Sequence, residues 1–130
     1  MIFGIGADIV SVARIEAACA RHGPAFAERI LSSQEMAEYA KQAHPARFLS
    51  KRFAAKEALG KAAGQGLRHP VSLHNITVSH DHLGKPIFVF EGELAAYLQQ
   101  LGVGRHHLSI SDEKENAVAF VVLEAAAGHQ

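Results

Sequence analysis

The chain has 130 residues, 48% of them hydrophobic, enough for one packed core and too few for two. Its 13 basic and 13 acidic residues cancel, which excludes a global field drawing it to nucleic acid or to an anionic membrane, so any anion must be bound locally. The lone Cys19 excludes an intrachain disulfide and fits a reducing, cytoplasmic setting, while no run approaches the roughly 20 apolar residues of a membrane helix.

In chain order, Met1 to Asp8 lacks the basic-then-apolar order of a secretion signal. Ile2 to Val10 reads as a buried strand in which Gly4 and Gly6 keep the surface low for a close neighbour, and Asp8 stands near its end. From Ser11 a helical pattern turns Ile15, Ala18 and Cys19 inward and stops at His22-Gly23-Pro24; Arg14 and Arg21, nearly two turns apart, share a face. Phe26 to Leu31 adds a turn of helix. Ser32 and Glu35 have capping-box spacing for a short helix to about Gln42. Pro45 opens the most regular segment, a helix over 46–63 ended by Gly64-Gln65-Gly66.

Beyond Pro70 the pattern changes to strands. Ile76 and Val78 alternate with polar residues, Leu83-Gly84-Lys85-Pro86 is a turn, and Ile87 to Phe90 completes a hairpin. Glu93 to Leu101 is helical and closes at Gly102. His107 to Ser111 and Ala117 to Glu124 form a last hairpin through residues 112–116, and the tail over 125–130 is expected to fray. With no repeat or linker, residues 1–130 read as one compact α+β domain, its helices mainly in the first half and packed on an antiparallel sheet.

The central helix carries Arg52-Phe53-Ala54-Ala55-Lys56-Glu57-Ala58-Leu59-Gly60-Lys61, with Glu57 and Lys61 one turn apart. Two readings stand for this pair: a solvated surface bridge, or a carboxylate and cation facing a partly buried cleft. Asp8 also has two: a second carboxylate for an incomplete Mg²⁺ shell, or the cap of the helix that begins near Ser11. The adjacent His106 and His107 lack the i, i+4 spacing of helical metal ligands.

Gly4-Ile5-Gly6-Ala7-Asp8-Ile9-Val10 with Arg14-Ile15, followed by Arg52 to Ala58 with Lys61 and Gly64, resembles the two signature segments of the holo-acyl-carrier-protein synthases. These are the small bacterial branch of the 4′-phosphopantetheinyl transferases. The likeness continues through Leu83-Gly84-Lys85-Pro86 and His107-Leu108-Ser109-Ile110-Ser111, covering nearly the whole chain. One departure is Asp112, where many relatives carry histidine; no catalytic role is assigned to it.

The resemblance implies transfer of the phosphopantetheine arm of coenzyme A to a serine of an apo acyl carrier protein, for fatty acid biosynthesis, leaving adenosine 3′,5′-bisphosphate. It implies Mg²⁺ on Asp8 and Glu57 gripping the pyrophosphate, with Lys61 on the phosphate chain as third member of the catalytic set. Arg52 and His107 are expected near the 3′-phosphate and adenosine, with Lys85, Pro86 and the Gly64 turn lining the same groove. It further implies docking of the carrier on Arg14 and Arg21, and a homotrimer with sites between subunits. Phosphoryl transfer is mostly positioning and charge neutralisation, so a metal, a cation and an oriented nucleophile suffice. Either Glu57 or a metal-held water takes the serine proton. Two competing readings are a Mg²⁺-dependent nuclease or nucleotide phosphohydrolase, disfavoured by the lack of a basic stripe, and a non-catalytic trimeric binding module, disfavoured by the intact Asp8, Glu57 and Lys61.

Overall fold

The computed structural model describes residues 1–128. In chain order the elements are β1 (Ile2–Ser11), α1 (Val12–His22), α2 (Pro24–Ile30), α3 (Ser33–Tyr39) and α4 (Pro45–Ala63), then a single 3₁₀ turn (Leu73–Asn75), β2 (Ile76–His80), β3 (Pro86–Phe90), α5 (Gly92–Leu101), β4 (Val103–Asp112) and β5 (Asn116–Ala125). The α+β reading holds, with both hairpins where the alternation places them. Strands β1, β5 and β4 form an antiparallel sheet in that order, and β2 pairs with β3 in a separate ribbon.

Helix α4 lies against the sheet and is its organising partner. Leu49, Ala54, Ala55, Ala58 and Leu59 are fully buried on it, and the small alanines let the strand backbone come close. Gly4 and Gly6 answer from the strand side: a Cβ on either would stand 2.0 Å from the carbonyl oxygen of Ala62 or Ala58. The expectation that these glycines serve close approach is met, and the approaching group is α4. On the same sheet face Val10, Ala117, Ala119, Val121, Leu123 and Leu108 complete the core.

Period-two alternation turns the other residues outward. Ile5 (70% exposed), Ile9 (65%) and Phe120 (58%) leave an apolar outer face on β1 and β5. Two details differ from the sequence reading. Strand β4 begins at Val103, because Val103 pairs with Ala125 despite the turn-like composition of residues 102–105. The tail is held as far as Ala126, since Ala125 N–H donates to Met1 O and Ala126 N–H to Gly102 O; its last two residues lie outside those described. No helix among the described residues is long and apolar enough to cross a membrane.

Candidate active site

Asp8 falls on the inward register of β1, two residues beyond Gly6, so the close approach that the glycines permit also brings its carboxylate to α4. Lys61 Nζ donates to Asp8 Oδ1 and to Ala7 O, both at 3.0 Å. The pair is partly open, Asp8 18% and Lys61 52% exposed. Capping of α1 is performed instead by Ser11, whose Oγ accepts from Arg14 N–H. Lys61 thus turns to the strand rather than forming a bridge to Glu57. Burial, and then the negative charge of Asp8, push the Glu57 carboxyl above its ordinary value, with Lys61 pulling it down. Two carboxylates share one lysine here, which leaves negative charge uncompensated.

Hard carboxylate oxygens of this kind suit a divalent cation. Among the described residues no three His, Cys, Asp or Glu side chains gather as a metal cluster. A cation at Asp8 and Glu57 would take its remaining oxygens from water and phosphate, the usual Mg²⁺ arrangement at a phosphate substrate, and the residues present fit it. Gly64, with φ of 112°, ends α4 one turn beyond Lys61, and its N–H donates to Lys61 O.

Arg52 is elsewhere on α4. Its guanidinium is nearly buried and donates through Nη1 to Glu35 Oε2 (3.2 Å), Glu38 Oε2 (3.1 Å) and Val78 O (2.7 Å). It lines a cavity of about 390 Å³ together with Lys51, Gly84, Pro86, Ile110 and Asp112. Asp112 belongs to β4, the opposite sheet edge from β1, and sits 3.8 Å from both Arg47 Nε and Lys51 Nζ. Pro86 therefore accompanies Arg52, with Lys85 exposed beside it in the turn.

His107 occupies a third place. The β4 register turns it to the outer sheet face, where Nε2 meets the Glu124 carboxylate. Hydrogen bonding by His107 holds that carboxyl below its ordinary value. Its neighbour His106 turns inward, accepts from Phe88 N–H through Nε2 and packs against Phe88 and Phe90. Burial, then the charges of His107 and Lys85, lower its pKa, which suits an acceptor nitrogen.

Within one chain, then, Asp8, Glu57 and Lys61 gather at the β1 edge with Gly64 at the end of the same helix, Arg52 and Pro86 lie at the β4 edge, and His107 behind the sheet. Arg14 and Arg21 are exposed on α1, which starts just after Asp8. Sequence reasoning passed over Glu35, Glu38, Lys56, Arg47, Lys51 and Glu124. The i, i+4 spacing of Arg52 and Lys56 was the available signal for Lys56; the others depend on contacts between elements distant in the chain.

An acidic pair sharing one half-exposed lysine, at the seam of a strand and a helix laid across a three-stranded sheet, fits a small phosphoryl-group transferase of the α+β class. The chain belongs to the 4′-phosphopantetheinyl transferase superfamily, whose ACPS family model matches residues 4–121. It is 57% identical over 124 residues to a holo-[acyl-carrier-protein] synthase of Nitrosospira multiformis, covering 95% of this chain and 99% of the relative. The crystal structure of holo-[acyl-carrier-protein] synthase from Neisseria meningitidis superposes with a TM-score of 0.93 at 48% identity, over 95% of this chain and 99% of that one. A synthase from Bacillus anthracis in complex with CoA (3′,5′-ADP) matches with a TM-score of 0.80 at 41% identity, over 97% and 99% of the two chains.

Proposed function

We propose that the chain transfers 4′-phosphopantetheine from coenzyme A to a serine of an apo acyl carrier protein, serving fatty acid biosynthesis in the cytoplasm. The observation that carries this is the Asp8, Glu57 and Lys61 cluster at the seam of β1 and α4. Mg²⁺ on the two carboxylates would neutralise charge at the pyrophosphate.

The chain's own groups supply the rest. Lys61 exchanges Asp8 for phosphate oxygen and offsets the charge growing on the leaving group. The serine oxygen bonds to the β-phosphorus, the bond from that phosphorus to the bridging oxygen breaks, and adenosine 3′,5′-bisphosphate departs. Glu57 takes the serine proton.

Arg52, Lys85, Pro86, Gly64 and His107 bind the cofactor across two copies. Their placement at opposite sheet edges and behind the sheet supports a homotrimer in which one copy's β1 edge faces another's β4 edge. The outward Ile5, Ile9 and Phe120 supply apolar surface for such an assembly. The exposed Arg14 and Arg21 dock the acidic carrier.

The decisive experiment incubates the protein with coenzyme A, Mg²⁺ and an apo carrier protein and weighs the carrier by mass spectrometry. A gain of one phosphopantetheine per carrier is expected, abolished by changing the carrier serine to alanine. A carrier of unchanged mass would refute the activity.

A further inference from the structure

Behind the Arg52 cavity lies a buried ionic network that the transfer mechanism leaves unused. Glu35 and Lys56 are fully buried. Lys56 Nζ donates to Glu35 Oε1 at 2.6 Å, Ile30 O at 2.8 Å and Leu73 O at 2.9 Å, using all three of its protons. Glu35 also accepts from Ser32 N–H, Val78 N–H and Arg52. Its carboxylate is thus committed on both oxygens.

The consequence falls on Arg52. All three of its hydrogen bonds among the described residues leave from Nη1, and its plane is backed by Phe48, whose ring centroid is 4.4 Å from Cζ. Nε and Nη2 of Arg52 make no hydrogen bond among the described residues, and the side chain lines the open volume. A guanidinium gripped by one nitrogen presents its opposite edge in a fixed direction, and planar two-nitrogen recognition of an oxyanion needs that.

We propose that Glu35 and Glu38 are positioning residues for the transfer: together they hold Arg52 by Nη1, so that its Nε and Nη2 edge stays turned to an anionic group of the cofactor. Lys56 is the internal counter-ion that keeps Glu35 ionised for this purpose. The proposal rests on Arg52 being a coenzyme A contact.

Steady-state kinetics on the full chain with coenzyme A, Mg²⁺ and apo carrier tests both claims separately. Arg52→Ala should raise the coenzyme A KM about tenfold, the loss of one charge-assisted contact. Glu38→Gln, at a half-exposed carboxylate, should raise KM about threefold with kcat and Tm unchanged. Glu35→Gln combined with Lys56→Met removes both buried charges together; once circular dichroism verifies its fold, it should raise KM about tenfold. Neither change should raise KM further in the Arg52→Ala background. An unchanged KM in Arg52→Ala would overturn the cofactor contact. A raised KM there, with wild-type KM in Glu38→Gln and in the folded double variant, would overturn positioning alone. If the double variant fails to fold, Glu38→Gln decides.

Discussion

Two clusters of charge surround α4, and each sets two ionic groups against a third. Around Glu35 the charges are Lys56 and Arg52, two cations to one fully buried carboxylate, with Glu38 at the rim and every proton of Lys56 placed. Around Lys61 the order is reversed: two carboxylates, Asp8 and Glu57, share one half-exposed lysine. Desolvation acts against ionisation in both. At Glu35 it is the largest influence, yet Lys56 and the hydrogen bonds from Lys56, Ser32 and Val78 outweigh it and the carboxyl stays below its ordinary value. At Glu57 nothing outweighs it, and the carboxyl rises. The first cluster is closed and holds the fold; the second is left short of positive charge, as a site awaiting a cation and phosphate would be.

Lys56→Ala offers the most forceful way to break the contrast. It removes the nearer counter-ion of a fully buried carboxylate, leaving Arg52 Nη1 at 3.2 Å on the other oxygen, so about 3–5 kcal/mol of unfolding free energy should disappear, much of what a domain of this size possesses. Urea denaturation followed by circular dichroism measures it. A loss below about 1 kcal/mol would mean that the network relaxes around the gap.

Next in size is Glu57→Gln, which acts on the unfinished cluster. Transfer should fall by about a hundredfold or more, since a metal ligand and the proposed base are lost together. The fold should survive, because the ionised Glu57 works against burial and against Asp8. Single-turnover assays with coenzyme A, alongside a melting curve, separate the two effects. Wild-type turnover would remove Glu57 from the mechanism.

The contrast also marks what the sequence made legible. Asp8, Glu57 and Lys61 stood out as candidates because a strand glycine pair and an i, i+4 helical spacing are local patterns, and the family resemblance chose between the two readings open for each. Glu35 was legible as a capping-box residue, which it is, but its second employment depends on α3 folding back onto α4 and β2. No local period reports such a contact. Likewise, alternation along β4 assigns His106 and His107 to opposite faces, yet deciding which one faces α4 requires the register with β5. The separation of Arg52 from Asp8 follows from the sheet order β1-β5-β4, a long-range pairing invisible to spacing arguments.

A smaller expected effect sharpens the geometric side. In Gly6→Ala a methyl would have to stand 2.0 Å from Ala58 O, forcing β1 away from α4. Overpacking of this kind costs about 1–3 kcal/mol, and because Asp8 lies two residues on, activity should fall more than stability suggests. Comparing transfer rate with Tm in this variant tests whether the β1 and α4 seam sets the site; full activity at lowered Tm would count against it.

The smallest effect distinguishes the clusters by the sign of their pH dependence. Glu57 has a raised carboxyl, so its contribution to stability is present at acid pH and is lost as pH rises from about 4.3, the ordinary value, through its folded value. Glu35 is lowered, so its contribution is present above about 4.3 and is lost as pH falls through its folded value. Melting temperature against pH, without Mg²⁺, should therefore show Glu57→Gln gaining on the wild type as pH rises above about 4.3, whereas Glu35→Gln should lose ground as pH rises toward about 4.3 and stay level beyond it. Adding Mg²⁺ should stabilise the wild type above the Glu57 transition and leave Glu57→Gln nearly unmoved. Parallel profiles for the two variants would mean that both carboxylates are equally compensated, contrary to the arrangement of charges around α4.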